Sequence, residues 1–233
     1  MRSSNIKLNK LNRNELHRYL GYRGNTPDST VRGIVDKCEE KLFKVIRPAY
    51  ISKVFDICEH YVEGVYKGIE VLGTNLILEG ESIRKHLALC NQAILMSATL
   101  SIEADKLIRQ TELKDMAEAL ILDAAASVAI EQVCEIAEES IKNVFPEKYM
   151  TYRYGVGYGD LPLYHEKIIL DILDAGKFIG LYVNDSNILT PRKSVVCIIG
   201  LSDMPMPKGQ KGCVTCNMKE KCDYRRQGLS CAY

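Results

Sequence analysis

Residues 153–162 of this 233-residue chain read Arg153-Tyr154-Gly155-Val156-Gly157-Tyr158-Gly159-Asp160-Leu161-Pro162. Three glycines and a proline make most of this stretch unfit for a helix or an ordinary strand interior. Backbone without Cβ atoms lets a ligand reach main-chain N–H and C=O groups. Arg153 stands at the edge with a guanidinium fork suited to a carboxylate or a phosphate. A plain structural turn has the same glycine content, so the residues alone leave both readings open.

The second concentration of chemistry is Cys213, Cys216, Cys222 and Cys231, spaced Cys-x2-Cys-x5-Cys-x8-Cys. Four thiolates can hold zinc tetrahedrally or carry an iron–sulfur cluster. The spacing is not the double Cys-x2-Cys of a zinc ribbon, which slightly favours the cluster; a tail of reduced thiols is the plain alternative. Lys208, Lys211, Lys219, Lys221, Arg225 and Arg226 give this segment a basic face that suits an acidic electron donor. The other cysteines, Cys38, Cys58, Cys90, Cys134 and Cys197, lie singly in apolar periodic stretches and read as buried thiols. His17, His60, His86 and His165 are scattered without metal-ligand spacing. No Ser/His/Asp or Cys/His constellation stands out, so no catalytic residue is assigned.

Lys plus Arg number 31 against 30 Asp plus Glu, a formal charge of +1. That balance argues against nucleic acid or an anionic membrane as partner. No run approaches the roughly 18 apolar residues of a membrane span, and Met1 to Lys10 lacks the apolar core of a signal peptide. A soluble, cytoplasmic protein is expected.

The elements that must position these residues can be read from capping and periodicity. Asn12 to Leu20 reads as a short helix. Pro27-Asp28-Ser29 opens an amphipathic helix with Val31, Ile34, Val35, Cys38, Leu42, Val45 and Ile46 at helical spacing, ending before Pro48. Tyr50–Val62 and Val65–Leu72 read as strands joined at Glu63-Gly64. A helix over Ser82–Leu89 and a buried strand over Ala93–Thr99 follow, and Ser101 reads as the N-cap of the next helix. Glu112 to about Asn143 is free of Gly and Pro and predicts one long helix, or two joined by a bend. Tyr164–Leu173 reads as a helix; Phe178–Leu181 and Ser194–Leu201 read as strands. The mixture predicts an α+β fold, with a domain over residues 1–205 and a linker plus Cys-rich tail over 206–233.

Arg153-x-x-x-Gly157-Tyr158 before a proline-containing turn resembles the S-adenosylmethionine-binding signature of the activation domain of cobalamin-dependent methionine synthase. Three more segments are similar to that family, in family order: Arg18-Tyr19-Leu20-Gly21-Tyr22-Arg23-Gly24, the alanine-rich Leu122–Glu131, and Thr190-Pro191-Arg192-Lys193-Ser194-Val195-Val196. The resemblance implies an antiparallel sheet flanked by helices with the ligand in a surface groove. It makes Glu131 the acidic ligand, with Asp123 as competitor. Arg153 would pair with the methionine carboxylate, Gly155 and Gly157 would offer main-chain contacts, and Tyr158 would meet the nucleoside.

The resemblance also implies a reaction. Co(II) cobalamin on an oxidised methyltransferase is rescued by one electron, from flavodoxin or another reductase, coupled to methyl transfer from S-adenosylmethionine. Sulfonium is a good leaving group, so orientation suffices and no general acid or base is needed. No Asp-x-His-x-x-Gly cobalamin motif is present. The cobalamin is therefore expected on a partner methyltransferase, with this chain acting in trans as the methyltransferase component. An electron-transfer or adaptor protein working through the cysteine tail is the alternative.

Overall fold

Local signals decide most element ends in the computed structural model, which describes residues 1–4, 6–22, 27–206, 220–221 and 226. Strand β1 (Arg2–Ser4) leads to helices α1 (Arg13–Tyr19) and α2 (Ser29–Val45). Strands β2 (Ala49–Val62), β3 (Val65–Val71) and β4 (Ile77–Leu78) come next, then α3 (Glu81–Leu87) and β5 (Gln92–Thr99). Helices α4 (Ile102–Glu112) and α5 (Met116–Val144) precede β6 (Tyr149–Met150), β7 (Tyr154–Gly155), α6 (His165–Leu173) and α7 (Ala175–Ile179). Strands β8 (Tyr182–Val183), β9 (Leu189–Thr190) and β10 (Ser194–Ser202) complete the order.

The described residues form two compact units. The first comprises Met1–Lys53, Leu95–Pro146 and Glu166–Cys197; the second comprises Val54–Ile94, Glu147–His165 and the described residues from Ile198 on.

The first unit is built on α5, a single helix of 29 residues. It starts where Asp115 accepts hydrogen bonds from the Ala117 and Glu118 amides at 2.9 and 3.1 Å. It stops at Val144, ahead of Pro146. Ala119, Ala124, Ala125, Ala126, Ala129 and Ala137 are buried along it, and their small side chains let neighbouring helices approach closely. Helix α2, opened by the Asp28 carboxylate on the Val31 amide at 2.9 Å, packs against α5 with Val35, Cys38 and Leu42 buried. Helix α1 is fastened to α5 by polar bonds: Gln132 accepts from the Asn12 amide and donates to the Lys10 carbonyl. Strand β1 pairs antiparallel with the start of β2, Arg2 opposite Ile51.

The strands pair in the order β4-β3-β2-β5-β10-β6. The registers of β2 with β3, β3 with β4 and β10 with β6 are antiparallel. Glu63 and Gly64, at φ 51° and 78°, make the left-handed two-residue turn that matches strand twist. Helix α3 buries Ile83 and Leu87. The expected α+β architecture with antiparallel pairing is what the chain adopts.

Four local expectations need correction. Phe178 lies in α7, not in a strand: the Lys177 and Phe178 amides both bond the Asp174 carbonyl at 3.1 Å. The apolar run there sums the end of a short helix and the approach to β8, divided by Gly180 at φ 66°. Helix α5 begins at Met116 because Asp115 caps it, and residues around Glu112 belong to α4. Ser101 sits at the N-cap position of α4 but makes no side-chain cap; its hydroxyl accepts from the Arg47 amide instead. Cys58 is exposed and Cys90 half-buried, because Cys58 falls on the outward face of the alternating half of β2.

Candidate functional site

The glycine loop is held from both ends of α3. At the start of that helix the N-cap position is Gly80, which has no side chain to cap with. Asp160, from the far side of the loop, supplies the cap: its carboxylate accepts from the Glu81 and Ser82 amides at 2.8 and 2.9 Å. Burial works against the charge of Asp160, but bonds from Ser82 and Glu81 outweigh it and hold the carboxyl below its usual value.

Near the other end of α3, the His86 ring lies edge-on to Tyr152 at 4.6 Å and tilted against Tyr154 at 4.9 Å. These are the two neighbours of Arg153. Burial outweighs the opposing pull of the nearby Tyr152 main chain and pushes the His86 pKa down to about 4, so the ring is neutral at pH 7. Its Nε2 is buried without a partner. Two further anchors complete the loop. The Thr151 hydroxyl accepts from the Gly200 amide at 2.8 Å, and the His165 ring spans the carbonyls of Pro162 and Ile77 at 3.0 and 2.9 Å.

This packing explains part of the glycine content. A Cβ at Gly159 would lie 2.5 Å from the Tyr154 hydroxyl and 2.7 Å from the Ser82 hydroxyl, and one at Gly80 would lie 2.7 Å from Asp160 Oδ1. Those two glycines serve the contact between loop and helix. Gly157 adopts φ 85°, a conformation that favours glycine. Gly155 is different: its Cβ position is bounded only by the ring of Tyr158, at 3.0 Å. Tyr158 itself is 72% exposed. The loop therefore presents bare backbone at Gly155, an accessible aromatic ring above it, and a half-buried Arg153.

Glu131 is half-buried on α5 in the first unit. The Tyr19 phenol has a raised pKa, first through burial and next through the negative charge of Glu131, which places that carboxylate beside α1. The competing acid, Asp123, is already paired: Lys193 Nζ lies 2.8 Å from its carboxylate and donates to the Ser127 hydroxyl at 2.9 Å. Those bonds fasten the Thr190–Val196 segment to α5. The Arg192 amide donates to Asp105 at 2.7 Å and the Ser194 hydroxyl to that of Thr99 at 2.8 Å, so Ser194 serves the frame of this segment.

Arg153, Gly155, Gly157 and Tyr158 thus share one anchored loop. Sequence reasoning missed His86, Asp160 and His165. Asp160 left one trace: α3 opens after Gly80 with no capping side chain of its own. A cleft of about 290 Å3 bordered by Lys167, Asp171, Asp174, Lys177 and Tyr182 contains none of the expected ligand residues. Cys213, Cys216, Cys222 and Cys231 lie outside the described residues. Among the described residues no group of three or more side chains could hold a metal ion, and no helix is long and apolar enough to cross a membrane.

No protein-family model matches this chain, and no curated protein matches it in sequence. A solved structure does match: the crystal structure of the MetH reactivation domain bound to AdoHcy, with a TM-score of 0.62 at 14% sequence identity. The likeness covers 98% of this chain and 86% of that one. The chain has the mixed helix and antiparallel-sheet fold of that domain.

Proposed function

We propose that this chain binds S-adenosylmethionine and supports reductive methylation of Co(II) cobalamin carried by a separate corrinoid methyltransferase. One observation carries the reading. A chain with the fold of a reactivation domain whose crystal structure holds AdoHcy bears Arg153-x-x-x-Gly157-Tyr158 on an anchored loop, with bare backbone at Gly155 and an accessible ring at Tyr158.

The residues fit the ligand's chemistry. Arg153 offers a fork for the α-carboxylate, and the Gly155–Gly157 main chain offers polar groups beside the Tyr158 ring. Tyr158 offers a face and a hydroxyl to the nucleoside. Glu131 enters through the sequence resemblance alone, as the acid expected to meet the ligand's positive groups. S-adenosylmethionine, when bound, supplies a methyl group on a good leaving group. The work of these residues is to hold and orient it, which calls for no general acid or base.

Calorimetric titration of the purified protein with S-adenosylmethionine tests binding, and saturable binding at one site is expected. Adding a Co(II) corrinoid methyltransferase, a reductant such as reduced flavodoxin and S-adenosylmethionine should then restore methyltransferase activity. Binding without reactivation would make the chain a sensor of the ligand, and no binding would sink the reading.

The tail spacing favours a second reading, an electron-transfer or adaptor protein. Thiolates at Cys213, Cys216, Cys222 and Cys231 holding a cluster would make anaerobically purified protein brown, with iron and acid-labile sulfide. One tightly bound zinc in colourless protein would mark a structural site. Metal-free protein with full reactivation activity would remove the tail from the function.

A further inference from the structure

We propose that Cys58, served by His60 and Glu70, is a thiol-exchange site that takes up one half of a small disulfide as a reversible modification. The three residues come from β2 and β3. None belongs to the glycine loop or to α3, so the site stands apart from methyl-donor binding.

Register brings them together. Cys58 lies directly opposite Glu70 in the β2–β3 pair. Residues opposite each other share a face of the sheet, as do residues two apart on one strand. Glu59 turns to the other face, where it accepts from Arg84 of α3 at 2.7 Å. Cys58, His60 and Glu70 therefore share the face turned away from that bond. Asp56, next on the same face, is held by the Gln92 amide at 2.9 Å.

His60 Nδ1 lies 3.1 Å from Glu70 Oε2. An ionised carboxylate only accepts, so Nδ1 carries the proton and Nε2 keeps its lone pair. At strand spacing the Cα atoms of Cys58 and His60 stand roughly 6.5 Å apart, a gap that a thiol and an imidazole together span. An orienting acid, a base and a nucleophile thus stand side by side. Cys58 is exposed, whereas Cys38, Cys134 and Cys197 are buried and Cys90 is half-buried.

The exchange needs only the disulfide as co-reactant. His60 Nε2 takes the thiol proton, the Cys58 sulfur attacks one sulfur of the disulfide, and the reagent's S–S bond breaks. The departing thiolate leaves with the bonding pair and takes the proton from His60. Cys58 is oxidised to a mixed disulfide while the other half of the reagent is reduced to a thiol.

Glutathione disulfide is the probe. Full-length protein is incubated with it at pH 7, and the mass added to the peptide holding Cys58 is followed over time, which separates this residue from every other cysteine. N-acetylcysteine under the same conditions gives the rate of a thiol without neighbours. Cys58 should exchange about tenfold faster than that reference. His60→Gln should return it to the reference rate with an unchanged urea midpoint. Glu70→Gln keeps the imidazole but not its orientation, and its rate should fall between the two. A Cys58 rate no greater than that of N-acetylcysteine overturns the proposal, and that comparison needs no variant. A rate that H60Q leaves unchanged overturns it as well, as does an E70Q rate equal to wild type.

Discussion

Helix α5 and the glycine loop both carry segments of the family resemblance, yet different physics holds them. Helix α5 is fixed by burial: alanines, Leu122, Val133 and Ile141 are withdrawn from water along its length. The loop buries Tyr154, Val156 and Leu161 but takes its shape from Asp160, Thr151 and His165, each bonded to main chain. Apolar burial tolerates exchange among residues of similar volume. A loop held by directed polar bonds does not, because each bond needs one atom in one place. A rigid helix and a polar-anchored loop suit different tasks, the first a frame and the second a hand for a ligand.

The largest effect should come from the helix. Leu122→Ala removes a fully buried side chain and is expected to cost about 2–5 kcal/mol in urea unfolding, with S-adenosylmethionine affinity unchanged under native conditions. Equal losses of stability and affinity would erase the contrast. The reverse pattern is expected of Arg153→Ala and Glu131→Gln, which should each weaken binding ten- to a hundredfold, roughly 1.5–3 kcal/mol, with little change in melting temperature. Unchanged affinity in both would take the ligand away from these residues.

Asp160→Ala stands between the two. Loss of the α3 cap should lower stability by about 0.5–2 kcal/mol, and slackening of the loop should lower affinity as well. An effect on stability alone would show that the loop keeps its shape without Asp160.

The smallest effects are electrostatic and opposite in sign. Burial pushes the Glu166 carboxyl up to about 7, so the native state holds its proton where the unfolded chain has lost it. Stability should fall as pH rises from about 4.5 to 7, and Glu166→Gln should gain about 1–3 kcal/mol above pH 7 and nothing at pH 4. His86, held near 4, is the converse: the unfolded chain binds a proton first, so stability falls as pH drops from about 6.5 to 4. Replacing His86 by Phe should flatten that acidic limb. Urea midpoints across pH for the two variants check both signs.

Much of the frame was legible. Asp28 before an apolar period of 3.6 announced α2, and Glu63-Gly64 between β-branched runs announced the hairpin, because those signals are local. The Arg153, Gly157 and Tyr158 motif was legible as a likeness but not as a geometry. Its supports were hidden because they are distant in sequence: Asp160 caps an amide 79 residues away, and a lone His86 gives no sign that it will sit between two tyrosines. Phe178 and Cys58 misled because a short apolar run does not say which of two elements, or which face of a strand, will own it.

Because Asp160 lends α3 its cap, the Glu81 and Ser82 amides are protected from solvent only while the loop is closed on the helix. Their hydrogen–deuterium exchange therefore reports loop opening, although neither amide belongs to the loop. A ligand that orders the loop should slow exchange at these two sites, and one that requires the loop to swing away should quicken it. Two backbone protons on a short helix thus form an internal clock for the segment that carries Arg153, readable without a partner protein.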